Sequence, residues 1–97
     1  MNPRKSEPVH ARDLTVTNKR GLHARAAAKF VQTVERFNVA VVVSKDGHSV
    51  GGDSIMGLMM LAAAEGSEIH VEASGPEAET ALALIERLVE SRFDEDE

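Results

Sequence analysis

The stretch Glu68–Ser74, with the sequence EIHVEAS, alternates the apolar residues Ile69, Val71 and Ala73 with polar ones. Successive side chains of a β-strand point to opposite faces, so this alternation predicts a strand with one buried face and one face toward solvent. A sheet made of such strands buries its apolar face only against a second layer. Segments elsewhere in the chain must therefore supply that layer.

Helical segments on both sides of this strand can form the second layer. Ala24–Phe37 carries apolar residues at i, i+4 and i+7, and a last helix with the same periodicity is predicted to open at Gly75-Pro76. A shorter helix is predicted over residues 55–65, after the capping residue Ser54 and before Gly66. These three helices each present one apolar stripe.

The remaining strands complete the fold. Short strands are predicted over Leu14–Thr17, Val39–Val43 and His48–Val50, with a hairpin turn at Asp46-Gly47. The order is β-α-β-β-α-β-α, and we predict an α+β fold with a four-stranded antiparallel sheet, three helices on one side and an open outer face. Residues 11–92 form the single domain, between a flexible N-terminal extension (1–10) and a solvated acidic tail (93–97).

Composition limits the classes of function. A chain of 97 residues fits one small domain, and no apolar run approaches the roughly 20 residues of a membrane span. The absence of cysteine excludes disulfides, thiol catalysis and cysteine-ligated zinc. We expect a cytoplasmic, monomeric protein that needs no cofactor and does not bind membranes.

Charge is distributed unevenly along the chain. Residues 1–36 carry 8 basic and 3 acidic residues, whereas residues 37–97 carry 3 and 13. The basic stretch between Asp13 and Glu35 predicts contact with an anion or an acidic partner. Nucleic acid is disfavoured because only 3% of residues are aromatic, with no Tyr or Trp to stack on bases.

His23 is the strongest candidate for chemistry. It stands at the predicted start of the first helix, where unpaired N–H groups and a partial positive charge favour anions. With no carboxylate nearby in sequence, its imidazole is expected to be neutral and nucleophilic, and Arg25 is placed to stabilise a phosphoryl group on it. The alternative is that His23 merely caps the helix.

The other histidines give weaker signals. His10 falls in the predicted extension, His48 beside the hairpin, and His70 among glutamates on the polar face of a strand. None has the spacing of a metal site, so no metal is predicted. A hydrolase is also disfavoured, because there is no G-x-S-x-G motif and no acid close in sequence to orient His23, although a distant acid can fold nearby.

The segment Ile55–Leu61 is apolar on every side, so part of it must face water in a short surface helix. With Ile55, Leu58, Leu61 and Ala62 inward, the methionines lie nearer the surface and form an adaptable docking patch. Two simpler interpretations remain, in which the methionines are core filler and Ser54 is an ordinary helix cap.

Two motifs resemble one bacterial family. Residues 21–28 (GLHARAAA) are similar to the active-site signature of HPr, the histidine-containing phosphocarrier of the phosphoenolpyruvate phosphotransferase system. Residues 53–59 (DSIMGLM) are similar to that family's regulatory-serine segment. The resemblance covers roughly residues 11–90 and includes the order of the predicted elements. It differs at Ala26, where proline is common, and at Asp53 and Met60.

The resemblance implies an HPr-like open-faced sandwich and a phosphocarrier rather than an enzyme with a small substrate. His23 would accept a phosphoryl group on Nδ1 from enzyme I and pass it to a histidine of an enzyme IIA protein, with Arg25 neutralising the phosphate. Ser54 would be the site modified by HPr kinase/phosphorylase. The residues implied to contact both partners are Leu22, Ile55, Met56 and Met59.

Two alternatives stay open beside a carrier in sugar transport. One is a regulatory binding module of the nitrogen-related branch, in which the phosphorylation state of His23 controls a signalling partner. The other, more distant, is a small phosphatase of similar length.

Overall fold

The computed structural model describes residues 9–95, and its central element is a four-stranded antiparallel sheet. The strands lie side by side in the order β1-β4-β2-β3, so β4 is central and pairs with β1 and β2. Their bounds are Val9–Thr15 (β1), Ala40–Lys45 (β2), His48–Gly51 (β3) and Glu68–Ser74 (β4).

Three helices form the second layer: Ala24–Glu35 (α1), Ile55–Met60 (α2) and Ala78–Glu90 (α3). The predicted α+β class and the order β-α-β-β-α-β-α are confirmed. Across residues 9–95, no helix combines the length and the apolar character that crossing a membrane requires.

The core lies between the helices and one face of the sheet. In β4, Ile69, Val71 and Ala73 are buried, while Glu68 and Glu72 are exposed on the opposite face. This is the alternation that the sequence predicts. Each fully buried Leu, Ile or Phe stabilises the fold by about 1.5–3 kcal/mol before entropy is counted. The largest fully buried side chains include Phe30, Leu58, Ile69, Leu82, Ile85 and Phe93.

Strand β1 begins earlier than predicted. Val9 and His10 pair with Ser74 and Ala73, although the sequence assigned them to the N-terminal extension; residues 1–8 of that extension lie outside the described residues. The segment has no clear alternation because only Leu14 in it is buried. Backbone hydrogen bonding to β4 extends the strand where the side-chain pattern gives no signal.

Helix α2 is shorter than predicted, ending at Met60 instead of Glu65. Ala62 has a left-handed backbone (φ 55°), which stops the helix before Gly66 is reached. The chain turns there because Leu61 and Ala63 are both buried, and the Ala63 carbonyl accepts a hydrogen bond from Leu22. Tertiary packing therefore overrides the helical propensity of this segment.

The chain continues to pack after α3. A short turn over Arg92–Asp94 has positive φ at all three residues, and Phe93 is completely buried within it. A left-handed backbone costs about 1–2 kcal/mol per residue, and burial of the phenyl ring offsets part of that cost. The folded domain thus extends to Glu95, past the boundary that the sequence placed at residue 92.

Candidate functional site

His23 occupies the N-cap position of α1 and follows a tightly packed loop. Gly21 has φ +65°, and a Cβ at this position would come within 2.2 Å of the Ala63 carbonyl oxygen. Leu22 then donates its N–H to the same oxygen at 2.9 Å. The loop before His23 is therefore fixed against the segment that follows α2, which links the two motifs of the sequence.

Although His23 occupies the N-cap position, its side chain makes no capping hydrogen bond, so the interpretation that His23 merely caps the helix is wrong for its imidazole. Its Nε2 instead lies 2.6 Å from Oε2 of Glu95, and 18% of the side chain is exposed. Within residues 9–95, its Nδ1 has no hydrogen-bond partner. The expectation of an imidazole without a neighbouring carboxylate is corrected, because the C-terminal turn brings a distant acid to the ring.

Glu95 is held by two hydrogen bonds. Besides His23, it accepts one from Nδ2 of the fully buried Asn18 at 3.1 Å, and the same amide donates to the Gly21 carbonyl at 2.9 Å. Burial alone would raise the pKa of Glu95, but the bonds from His23 and Asn18 and the positive charges of His23 and Arg20 outweigh it and lower that pKa. The carboxyl is therefore ionised near neutral pH and accepts a hydrogen bond from Nε2–H of His23.

The C-terminal turn is anchored to α1. Phe93 is buried, and its carbonyl accepts a hydrogen bond from Nζ of Lys29 at 2.6 Å. The side chain of Glu95 is only 14% exposed. The prediction of a solvated tail from residue 93 onward is thus wrong for Phe93 and Glu95, while Asp96 and Glu97 lie outside the described residues.

The surroundings of His23 favour anions. Helix α1 has 12 residues and no acidic residue in its first turn, so its leading N–H groups meet no competing carboxylate there. Arg25 lies exposed in that first turn, and Lys19 and Arg20 are exposed in the preceding loop. The start of α1 thus has positive charge from its N–H groups and from Arg25, which follows His23 by two residues.

Helix α2 has four exposed residues among its five large apolar side chains. Met56 and Met60 are 68% and 77% exposed, and Ile55 and Met59 about two-fifths exposed, while Leu58 is fully buried. Ile55 and Ala62, which the sequence placed inward, are exposed. Leu22 is 4% exposed and belongs to the core, so its side chain offers a partner almost no area.

Ser54 caps α2 as predicted. Its Oγ accepts the N–H of Gly57 at 2.9 Å, and its backbone is extended. Asp53 beside it is exposed. This geometry fits an ordinary cap and leaves the hydroxyl hydrogen of Ser54 uncommitted to that bond.

The remaining histidines lie apart from His23. His70 is on the open face of the sheet, where its Nδ1 contacts Asp13 and its Nε2 contacts Glu72. His10 is in β1 and His48 in β3. Among residues 9–95, no group of three or more potential ligands is arranged to hold a metal ion.

Sequence reasoning missed the partners Asn18, Lys29, Phe93 and Glu95. For Phe93 a signal exists, since Ile85, Val89 and Phe93 continue one helical stripe at intervals of four. No local pattern indicates Glu95, because the contact with His23 spans 72 residues and depends on the backbone turn after α3.

Comparison with known families decides the affiliation of this fold and site. A family model described as "PTS HPr component phosphorylation site" matches residues 10–91. The chain belongs to the HPr family. The phosphocarrier protein HPr of Xylella fastidiosa (strain Temecula1) is 49% identical over 84 residues, covering 87% of this chain and 94% of that protein. The phosphocarrier protein HPr of Pseudomonas aeruginosa is 46% identical, covering 90% of this chain and 98% of that protein.

Solved HPr structures share the fold. The crystal structure of HPr-C-His from Thermoanaerobacter tengcongensis has a TM-score of 0.87 and 39% identity, covering 91% of this chain and 99% of that one. A structure of an HPr dimer from the same organism has a TM-score of 0.72 and 41% identity, covering 84% and 94%. The chain is therefore a phosphocarrier-family protein of the phosphotransferase system. The family match ends at residue 91, before Phe93 and Glu95.

Proposed function

We propose that this protein is a cytoplasmic phosphocarrier that accepts a phosphoryl group on Nδ1 of His23 from enzyme I and passes it to a histidine of an enzyme IIA protein. The observation that carries the proposal is the geometry of His23. Its Nε2 is engaged by Glu95, whereas its Nδ1 has no partner within residues 9–95 and lies at the start of α1, near Arg25 in sequence.

Each of the two transfer steps forms one P–N bond and breaks another. The lone pair on Nδ1 of His23 forms a bond to phosphorus while the P–N bond of the donor phosphohistidine breaks, and the donor ring keeps that electron pair. In the second step, a nitrogen of the IIA histidine attacks the same phosphorus and His23 recovers its lone pair. Positioning and charge stabilisation supply the rate, because no small substrate has to be bound.

The exposed apolar side of α2 is the proposed docking surface for both partners. It consists of Ile55, Met56, Met59 and Met60, which together form an adaptable patch. The Leu22 N–H binds the Ala63 carbonyl, so the segment that follows α2 packs against the loop that carries His23, which supports docking on this helix. One surface that serves two partners in turn requires only one copy, so we propose a monomer as the working unit, which sedimentation will test.

The test of this function uses the intact chain with phosphoenolpyruvate and enzyme I. We expect one acid-labile phosphoryl group per chain, located on His23 by peptide mapping and on Nδ1 by ³¹P NMR. The labelled protein is then offered to a panel of IIA proteins. Transfer to a carbohydrate-type IIA supports the sugar carrier, and transfer restricted to a nitrogen-type IIA supports the regulatory branch. Absence of label on His23 would refute the proposal.

We further propose Ser54 as a regulatory phosphorylation site for HPr kinase/phosphorylase, acting on docking rather than on the chemistry of His23. Phosphate oxygens at Ser54 can still accept the Gly57 N–H, so the modified protein should keep its fold. A hydrated dianion beside Ile55 and Met56 must be desolvated when a partner docks. A loss of ~2.7 kcal/mol would weaken binding about a hundredfold, although Asp53 already adds one charge there.

The docking hypothesis is tested with Ser54→Asp and kinase-treated protein. Thr80→Asp, which adds one charge in the first turn of α3, is the matched control. We expect weaker affinity for enzyme I and a normal transfer rate at saturating enzyme I. Normal affinity with a slow saturated rate would instead place the effect at His23.

A further inference from the structure

We infer that Glu95 is a positioning residue that holds His23 in the tautomer with a free lone pair on Nδ1. This inference rests on the proposed function of His23. Its basis is the 2.6 Å contact between Glu95 Oε2 and His23 Nε2, on a carboxylate that Asn18 also binds. Glu95 lies beyond the residues matched by the family model, so this role belongs to the terminal segment of this chain.

The tautomer follows from which atoms can donate. An ionised carboxylate only accepts hydrogen bonds, so the hydrogen in this contact is on Nε2 of His23. A neutral imidazole has one N–H, and with that hydrogen on Nε2 the lone pair in the ring plane is on Nδ1. Glu95 thus selects the nitrogen that is available to attack phosphorus and also fixes the orientation of the ring.

The same contact stabilises the phosphorylated product. When Nδ1 of a ring that carries Nε2–H bonds to phosphorus, no proton leaves, and the ring acquires a positive charge. That charge then forms a charge-assisted hydrogen bond with Glu95. Glu95 contacts Nε2 and the phosphoryl group would be on Nδ1, so the two negative groups are on different nitrogens of the ring.

The position of Glu95 is set by packing as well as by its own bonds. Phe93 is completely buried two residues earlier, and Lys29 binds its carbonyl at 2.6 Å. Asn18 joins the Gly21 carbonyl to Glu95, so the loop before His23 and the C-terminal turn are coupled. A side chain held from several sides can orient a catalytic histidine at low entropic cost.

The test compares Glu95→Ala, Glu95→Gln and the control Glu90→Ala, which removes the same charge from an exposed position at the end of α3. Ring ¹⁵N shifts of His23 are measured over a pH series, and the tautomer is identified from the shifts of the neutral ring. Single-turnover transfer from phosphorylated enzyme I is measured on the same proteins, with His23 confirmed as the labelled residue in each.

We expect Nε2–H in the wild-type protein and in Glu90→Ala, and a mixture of tautomers in Glu95→Ala. Transfer to Glu95→Ala should be about ten- to a hundredfold slower, the scale of one lost charge-assisted hydrogen bond. Glu95→Gln should recover the tautomer and part of the rate, because its amide oxygen accepts the same hydrogen. An unchanged tautomer or an unchanged rate in Glu95→Ala would overturn the inference while labelling of His23 still upheld the proposed function.

Discussion

His23 and His70 both contact carboxylates, but they use their ring nitrogens differently. His70, with 42% of its side chain exposed, binds Asp13 through Nδ1 at 2.7 Å and Glu72 through Nε2 at 3.2 Å. His23, 18% exposed, binds Glu95 through Nε2 alone. Hydrogen bonds to Asp13 and Glu72 raise the pKa of His70 and so favour its protonated ring, which has no lone pair to offer. A neighbouring acid therefore prepares a nucleophile only when it leaves one nitrogen unbonded.

The charged groups around the two histidines also differ. His23 stands at the start of a helix whose first turn contains Arg25 and no acid. His70 stands on the open face of the sheet beside Asp13 and Glu72. An incoming phosphoryl group meets the positive charge of Arg25 and of the helix start beside the single carboxylate of Glu95 at the first site, and two carboxylates at the second. The two residues have the same side chain, so their different positions in the fold account for the different surroundings of their rings.

The largest expected effect is the loss of phosphoryl transfer in His23→Ala. Labelling through enzyme I should fall to background, because the attacking lone pair is removed. His70→Ala should be labelled at close to the wild-type rate, since neither of its nitrogens is available in the folded protein. Acid-labile ³²P incorporation measures both variants. Persistent label in His23→Ala, or a large loss in His70→Ala, would break the distinction between the two histidines.

The second prediction concerns the anchor that brings Glu95 to His23. Phe93→Ala should lower the free energy of unfolding by about 3–5 kcal/mol, because it empties a fully buried site. Phe37→Ala, at a half-buried position after α1, should cost clearly less. Urea unfolding followed by circular dichroism gives both values. A loss below about 1 kcal/mol for Phe93→Ala would mean that the tail is solvated, as the sequence alone suggested.

Much of the fold was predictable because its signals are local. The alternation in Glu68–Ser74 gave strand β4 with its observed bounds, and the apolar stripe of α1 gave its first residue. The end of α2 was not predictable in this way, since Ala62 takes a left-handed conformation that suits the burial of Leu61 and Ala63. Where a tertiary contact determines the backbone conformation, a local sequence pattern predicts that a helix is present but not the residue at which it ends.

The candidate site also contains residues that the sequence predicts and one that it does not. His23, Arg25 and Ser54 lie where the sequence placed them, because helix starts have short-range signals. The contact of Glu95 with His23 was not predictable, because four like charges at the end of a chain are typical of a solvated tail. Burial of Phe93 and the bond from Lys29 reverse that expectation.

A smaller effect is expected for Arg25→Ala. The side chain is exposed and lies one turn or less from His23, so its removal should leave stability almost unchanged. Loss of a charge-assisted bond to the phosphoryl group should raise the activation barrier of transfer by roughly 1.5–3 kcal/mol and so slow transfer. Arg36→Ala, exposed at the other end of α1, is the control. Equal rates in both variants would show that the start of the helix alone stabilises the phosphoryl group.

The smallest expected effect is a pH-dependent contribution of His70 to stability. Hydrogen bonds to Asp13 and then to Glu72 raise the pKa of His70 above the ordinary value of 6.5, and their negative charges act in the same direction. A pKa that is higher in the folded state means that folding favours the protonated ring. The stabilisation is therefore fully present below pH 6.5 and disappears as the pH rises through the folded pKa.

This sign can be measured by unfolding wild-type protein and His70→Gln at several values between about pH 5 and pH 8.5, which span the ordinary histidine pKa. The difference in free energy of unfolding should be largest at the acidic end, vanish at the alkaline end and shrink with added salt, because both acids are exposed. His48→Gln is the control, since exposed His48 has no carboxylate partner within residues 9–95. A difference that grew toward alkaline pH would mean that His70 is held neutral, and the contrast with His23 would then have to rest on Arg25 and the helix start instead of on the engaged ring nitrogens.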